Sequence, residues 1–146
     1  MLKLSTKSRY AVQIMVHLAM QRGTGPVQKN QIARAEAITP DYVEQILVRL
    51  RAAGLVSSQR GVKGGFVIAV DPARTTVAAI ISAMEGAISL VPCRESNCDR
   101  GTICVTRPLW ERASAALEQV FADVSIQDLA NQARTVRDSK SSSFQI

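Results

Sequence analysis

Residues 39–70 read TPDYVEQILVRLRAAGLVSSQRGVKGGFVIAV, a helix signal followed by a hairpin signal. Thr39 offers a hydroxyl that can cap a helix, and Pro40 suits the first helical position, where its missing N–H is not needed. Gly54 supplies a stop, so we predict a helix from Pro40 to about Ala53. Its buried stripe is predicted from four apolar residues at helical spacing: Val43, Ile46, Leu47 and Leu50.

Two short β-prone runs follow this helix, Leu55–Gln59 and Phe66–Val70. The residues between them contain three glycines together with the cations Arg60 and Lys63. Glycines between two such runs are typical of a tight hairpin turn. The pattern therefore predicts a β-hairpin with a basic tip.

Two further helices are predicted upstream. Apolar residues recur at helical spacing between Tyr10 and Ala19, after the capping candidate Ser5, and Gly23–Pro26 ends this helix. A second, shorter helix covers Lys29–Ala35. Three helices followed by a basic hairpin predict a mainly α fold, a winged helix-turn-helix domain with a two-stranded β wing.

Downstream, the sequence predicts more helices and a loop. Val77–Glu85 has the pattern of a short helix, and Leu109–Val124 that of a long amphipathic one. Ser125 and Asp128 then form a capping-box pattern for a final helix, with Asp in place of Glu. We expect four parts: the winged helix-turn-helix domain (1–85), a cysteine-bearing loop (86–107), C-terminal helices (108–136) and a polar, disordered tail (137–146).

Charge is distributed unevenly along the 146 residues. The net charge is +6, and residues 1–70 contain ten Lys and Arg against three Asp and Glu, whereas the rest of the chain has eight against nine. A cationic first half joined to a near-neutral second half indicates a module that binds a polyanion. Hydrophobic residues make up 47% and aromatic residues 4%, so the core is expected to be aliphatic.

The N-terminal segment superficially resembles a secretion signal, since Lys3, Lys7 and Arg9 precede the apolar run 11–20. Gln13 and His17 interrupt that run, and no small-residue cleavage site follows it. No stretch approaches the roughly 20 apolar residues of a membrane-spanning helix. We therefore expect a cytoplasmic protein.

The polar face of the third helix has the residue types that read DNA. Gln45 can pair with adenine, Glu44 can accept from cytosine N4, and Arg49 suits a phosphate. The cations of the hairpin suit a narrow minor groove. Each residue alone could equally be part of a solvated helix face, but the combination favours DNA binding. The candidate DNA-binding residues are Lys29, Thr39, Asp41, Tyr42, Glu44, Gln45, Arg49, Arg60 and Lys63.

Three cysteines, Cys93, Cys98 and Cys104, are the only ones in the chain and fall within twelve residues. An odd number in a cytosolic protein argues against a disulfide framework, and the close Cys-x-x-Cys pair typical of structural zinc is absent. Spaced thiolates with arginines nearby suit an iron–sulfur cluster. Redox-active thiols without metal and a zinc site remain alternatives.

The chain resembles the Rrf-two family of bacterial winged-helix regulators. The resemblance covers roughly residues 1–130, and its most specific part is the wing, Arg60–Phe66. The other matching segments are Leu4–Val12, Tyr42–Ile46 and Leu50–Ser58. The three cysteines followed by Thr106–Trp110 are similar to the branch of iron–sulfur cluster regulators.

The resemblance implies a homodimer formed through the Leu109–Val124 helix, so that 108–136 would be dimerisation helices. It also implies a near-palindromic operator in double-stranded DNA, read by Asp41, Glu44, Gln45 and Arg60. The implied cofactor is an iron–sulfur cluster on the three cysteines, 2Fe-2S in preference to 4Fe-4S.

The fourth cluster ligand is left open by the resemblance. Where that branch has a histidine three residues after the last cysteine, this chain has Arg107, and its first two cysteines are one residue closer. An arginine is not a ligand at neutral pH. The remaining candidates are His17, Ser8 of a partner subunit, Glu95, Asp99, and an external thiol or water.

Two functions are consistent with these patterns. The first is a DNA-binding transcription regulator, a repressor by family habit, whose operator binding is controlled by the cluster. The second is a regulator without metal that senses thiol oxidation, a small molecule or a partner protein. An enzyme is not expected, because the single histidine excludes a Ser/His/Asp set and no glycine loop opens a helix to hold phosphate.

Overall fold

The computed structural model describes residues 4–92, 98, 100 and 103–142. Within these residues the chain forms six helices and one two-stranded antiparallel sheet. The elements in chain order are α1 (Thr6–Met20), α2 (Lys29–Glu36), α3 (Pro40–Ala52), β1 (Val56–Gln59), β2 (Gly65–Ile68), α4 (Val77–Glu85), α5 (Arg107–Ala122) and α6 (Ile126–Ser142).

The aliphatic core forms around α1, which packs against α2, α3, α4 and α6. The predicted stripe of α3 is buried throughout, and Ile126 and Ala130 bring α6 into the same core. Among the described residues, no helix combines the length and the apolar character that crossing a membrane requires.

Local signals in the sequence account for most helix ends. The side chain of Ser5 caps α1, and that of Thr39 caps α3 by accepting from the Tyr42 amide. The predicted box at the start of α6 is present, since Ser125 Oγ accepts from the Asp128 amide and Asp128 Oδ2 accepts from the Ser125 amide. Gly54 ends the α3 segment with a φ of +73°, a conformation that favours glycine.

The wing is a short hairpin whose register pairs Val56 with Ile68 and Gln59 with Gly65. Its double glycine has a steric cause. A Cβ on Gly64 would lie 2.3 Å from the Gln59 carbonyl oxygen, and one on Gly65 would lie 2.5 Å from the Val27 carbonyl oxygen. Glycine is therefore needed at both positions, because the backbone of β2 passes directly against the segment between α1 and α2.

Several predicted boundaries need correction. The strands are shorter than predicted, α2 extends one residue to Glu36, and α5 begins at Arg107 and ends at Ala122. The largest difference is in α6, which continues to Ser142, so that residues 137–142 of the predicted disordered tail are helical. The physical reason is tertiary: the charge of Arg137 on α6 acts on His17 of α1 and Glu36 of α2.

Candidate DNA-binding surface and cysteine segment

The turn between α2 and α3 sets the direction of the predicted reading helix. Ala37 adopts a left-handed conformation with φ of 54°, and the chain enters α3 through the Thr39 cap and Pro40. With its apolar stripe buried, α3 turns its opposite face outward. Three predicted base-reading residues are exposed on that face: Asp41, Glu44 and Gln45.

Lys29 and Glu44, both predicted to contact DNA, form an ion pair between α2 and α3. Lys29 Nζ donates to Glu44 Oε2 at 2.6 Å. This hydrogen bond raises the pKa of Lys29 and lowers that of Glu44, so both groups stay charged. The carboxylate expected to read cytosine is thus held in place by a lysine of the preceding helix.

Tyr42 braces α3 against α1. Its half-buried ring meets the Tyr10 ring edge to face, with centroids 6.0 Å apart and an interplanar angle of 89°. This packing fixes the N-terminal turn of α3, which has to be rigid to read bases. The sequence named Tyr42 as a DNA contact but offered no signal for its contact with Tyr10.

Arg49 has a partner that the sequence did not indicate. Its Nη1 donates to the carbonyl oxygen of Met84 on α4 at 2.7 Å. The side chain predicted to contact phosphate therefore joins α3 to the C-terminal end of α4. A contact between residues 35 positions apart leaves no local pattern to detect.

Arg60 and Lys63 lie exposed at the tip of the wing and form no salt bridge with a described residue. Gly61 has a φ of +115°, which makes the turn between them. Because cations at a hairpin tip lose little hydration until they meet an anion, they remain available to a phosphate or a minor groove.

Of the three cysteines, Cys98 and Cys104 are described, whereas Cys93 lies outside the described residues, as do Glu95 and Asp99. Cys98 is exposed and Cys104 is partly exposed, and both are free thiols. Cys104 Sγ is 3.4 Å from Thr106 Oγ1. Hydrogen bonding to Thr106 lowers the pKa of the Cys104 thiol, with smaller contributions from the Arg107 backbone and the charge of Arg100.

Two candidates for a fourth ligand are occupied elsewhere. Ser8 is fully buried, and its hydroxyl donates to Glu85 Oε1. His17 Nδ1 lies 3.8 Å from Glu36 Oε1, and burial lowers the pKa of His17. Arg107, which takes the place of a family histidine, donates to Glu111 at 2.9 Å.

The segment that leads to the cysteines is tied to three helices at its start. Glu85, the last residue of α4, accepts hydrogen bonds from the Ser5 amide and from Ser8 on the α1 side. A few residues later, the Leu90 amide donates to Ser114 Oγ on α5 at 3.0 Å. Ser114 is the buried polar residue of α5, so this contact is shielded from water.

The helix predicted to mediate dimerisation exposes much of its apolar surface. Val120 is 61% exposed and Leu109 is 54% exposed, and both lie on one stripe of α5 with Ala113 and Ala116. A contiguous exposed apolar stripe marks a surface that another protein covers.

Comparison with known proteins gives one family. A family model named Rrf2 and described as "Iron-dependent Transcriptional regulator" matches residues 4–132. The HTH-type transcriptional regulator IscR of Xenorhabdus nematophila is 35% identical over 129 residues, which cover 88% of this chain and 79% of that protein.

Two solved structures are similar in fold and sequence. The structure of CymR (YrzC), the global cysteine regulator of Bacillus subtilis, has a TM-score of 0.78 and 38% identity, and the match covers 90% of this chain and 98% of that one. The structure of T. potens IscR has a TM-score of 0.76 and 36% identity, covering 90% of this chain and 88% of that one.

Proposed function

From the premise that this chain belongs to the Rrf2 family of winged-helix transcriptional regulators, which are not enzymes, we propose that it is a homodimeric repressor of a near-palindromic operator. Its affinity for DNA is controlled by an iron–sulfur cluster held by Cys93, Cys98 and Cys104. We propose 2Fe-2S in preference to 4Fe-4S.

The exposed face of α3 beside a cationic wing is the observation that supports the DNA contacts. In our proposal Thr39, Asp41, Glu44 and Gln45 face the bases in the major groove, and Lys29 orients Glu44. At the same time, Arg60 and Lys63 enter the adjacent minor groove. Arg49 and Tyr42 then act by holding α3 in position.

The donor set suits a cluster. Thiolate sulfur is the ligand that iron–sulfur clusters take, and both described thiols are reachable and free of disulfides. When bound, a cluster supplies a centre whose charge and ligation change with oxidation or loss of iron. The candidates we retain for the fourth ligand are Glu95, Asp99 and an external thiol or water.

This chain's own contacts offer a route from the cysteines to the DNA. The cysteine segment starts at the C-terminal end of α4, where Met84 accepts from Arg49 and Glu85 accepts from Ser5. A rearrangement of that segment would therefore shift α3 and α1 relative to each other. Two such states with different DNA affinity would constitute the switch.

Anaerobic purification tests the cluster. We expect a coloured protein containing iron and sulfide, and loss of both when Cys93, Cys98 and Cys104 are changed to Ser. DNA affinity, measured on duplexes that the protein selects from a randomised library, should differ between the loaded and iron-free protein. A colourless protein that cannot be reconstituted with iron and sulfide would remove the cluster from the proposal.

A metal-free thiol sensor is the second candidate, and the accessibility of Cys98 and Cys104 is the observation that favours it. CymR, described as a global cysteine regulator, is also similar to this chain. This alternative predicts peroxide-induced mass changes on the cysteines, altered DNA affinity and no bound iron. Iron analysis of the anaerobic protein separates the two candidates.

A further inference from the structure

Val48 is an apolar residue in the middle of the outward face of α3. It lies on one line with Asp41 and Ala52, at spacings of seven and four residues, directly opposite the buried stripe. Its side chain is 57% exposed. An apolar side chain at the centre of a face that reads DNA indicates a part of the duplex other than a phosphate or a polar base edge.

A groove of about 500 Å³ runs between this part of α3 and the first strand of the wing. We call it the α3–β1 groove, and its lining residues are Val48, Arg51, Ala52, Val56, Ser57 and Ser58. One wall therefore carries a guanidinium and the other two exposed hydroxyls, with apolar atoms between them. Arg51 forms no salt bridge with a described residue.

The length of α3 determines what reaches this groove. Its 13 residues span about 20 Å, whereas the major groove of B-DNA is about 12 Å wide. When Asp41 and Gln45 face the bases, the C-terminal half of the helix extends past the groove to its rim. The rim consists of the sugar-phosphate backbone.

We infer that the α3–β1 groove is the seat of the sugar-phosphate backbone of one DNA strand. Arg51 pairs with a phosphate, the hydroxyls of Ser57 and Ser58 donate to phosphate oxygens, and Val48 packs against deoxyribose. The groove is continuous with the reading face of α3 and with the wing, and its single charge is opposite to that of the strand. This inference rests on the DNA binding of the proposed function and adds a contact that is independent of base sequence.

Such a contact changes affinity without changing sequence preference. Losing a charged phosphate partner weakens all duplexes by the same factor, and it lowers the slope of log affinity against log salt by about 0.9 for each phosphate released. Losing neutral hydroxyl donors weakens binding with no change of slope. The salt slope therefore separates Arg51 from the serines.

Fluorescence anisotropy on two duplexes tests the groove: a mixed-sequence duplex and one that the protein selects from a randomised library. Arg51→Gln should weaken binding to both by about tenfold and lower the slope by roughly 1 for each occupied groove. Arg51→Lys should retain the slope. Ser57→Ala with Ser58→Ala should weaken both duplexes severalfold at an unchanged slope.

Arg74→Gln is the matched control, because Arg74 is exposed and lies outside α2, α3 and the wing, so the same charge is lost away from the groove. Thermal unfolding of each variant checks that the fold is intact. If Arg51→Gln binds like Arg74→Gln, or if it loses only its preference for the selected duplex, the backbone seat is wrong. The first result would leave a partner protein as the occupant of the groove, and DNA binding by the wild type keeps the proposed function separate from this outcome.

Discussion

Arg49 on α3 and Met84 on α4 are joined by a 2.7 Å hydrogen bond from the guanidinium to the main-chain carbonyl. Carbonyls at the C-terminal end of a helix lack partners within the helix, so a cation there satisfies one and is favoured by the helix dipole. The bond connects the DNA-reading helix to the last turn before the cysteine segment.

We expect Arg49→Gln to destabilise the fold by about 1 kcal/mol, since it removes a charge-assisted hydrogen bond at a partly exposed site. DNA affinity should fall because α3 is held less rigidly, but the salt slope should stay at the wild-type value, since the guanidinium is engaged by protein. Urea unfolding and anisotropy titrations at several salt concentrations measure the two effects. A slope lower by about 1 would instead identify Arg49 as a phosphate contact, as the sequence suggested.

The Lys29–Glu44 pair predicts opposite effects for its two members. Glu44→Gln removes a negative charge near the DNA and frees Lys29, so affinity for a mixed-sequence duplex should rise and the salt slope should steepen. Lys29→Gln leaves the carboxylate uncompensated and should weaken binding. The double variant completes a cycle, and additive effects on binding free energy would show that the pair is not coupled on DNA.

Local chemistry explains why so much of the fold was predictable. Thr39, Pro40, Gly54 and the Ser125–Asp128 box act within four residues of their own position, and the sequence names them all. The double glycine of the wing was likewise visible, although its cause, the close approach of Val27, was not.

Contacts between distant residues explain what was missed. The partners of Glu44, Arg49 and Ser8 lie 15, 35 and 77 positions away, and nothing in a local pattern pairs them. The same holds for residues 137–142, whose polar composition suggests disorder while the charge of Arg137 acts near α1 and α2. The exposed face of α3 was predicted, but the role of Arg49 was not.

His17 and Glu36 predict a minimum in stability at mildly acidic pH. Burial lowers the pKa of His17 below 6.5, and the charge of Arg137 adds to this effect. Below pH 6.5 the unfolded chain therefore takes up more protons at this site, and stability is lost as the pH falls. Burial raises the pKa of Glu36 above 4.5, so stability also falls as the pH rises from 4.5 through that group's folded pKa.

The free energy of unfolding in urea, measured at successive pH values, checks this profile. We expect wild-type stability to pass through a minimum between pH 4.5 and 6.5. Glu36→Gln should remove the fall on the acidic side, and His17→Gln should remove the rise towards neutral pH. Identical profiles for wild type and His17→Gln would mean that the histidine does not titrate differently in the folded state.

The exposed stripe of α5 predicts a dimer that one charge can break. Val120 is 61% exposed at the middle of that stripe, so an aspartate there would be buried without a partner in the interface. We expect Val120→Asp to raise the dimer dissociation constant by about 30-fold or more, as measured by sedimentation. Ala115→Asp is the control, because Ala115 is exposed on the opposite side of α5 and introduces the same charge. Binding to a palindromic duplex should weaken in Val120→Asp while binding to a half-site persists, since each winged-helix domain keeps its own contacts. A Val120→Asp protein that dimerises as tightly as Ala115→Asp would place the interface on another surface of the molecule.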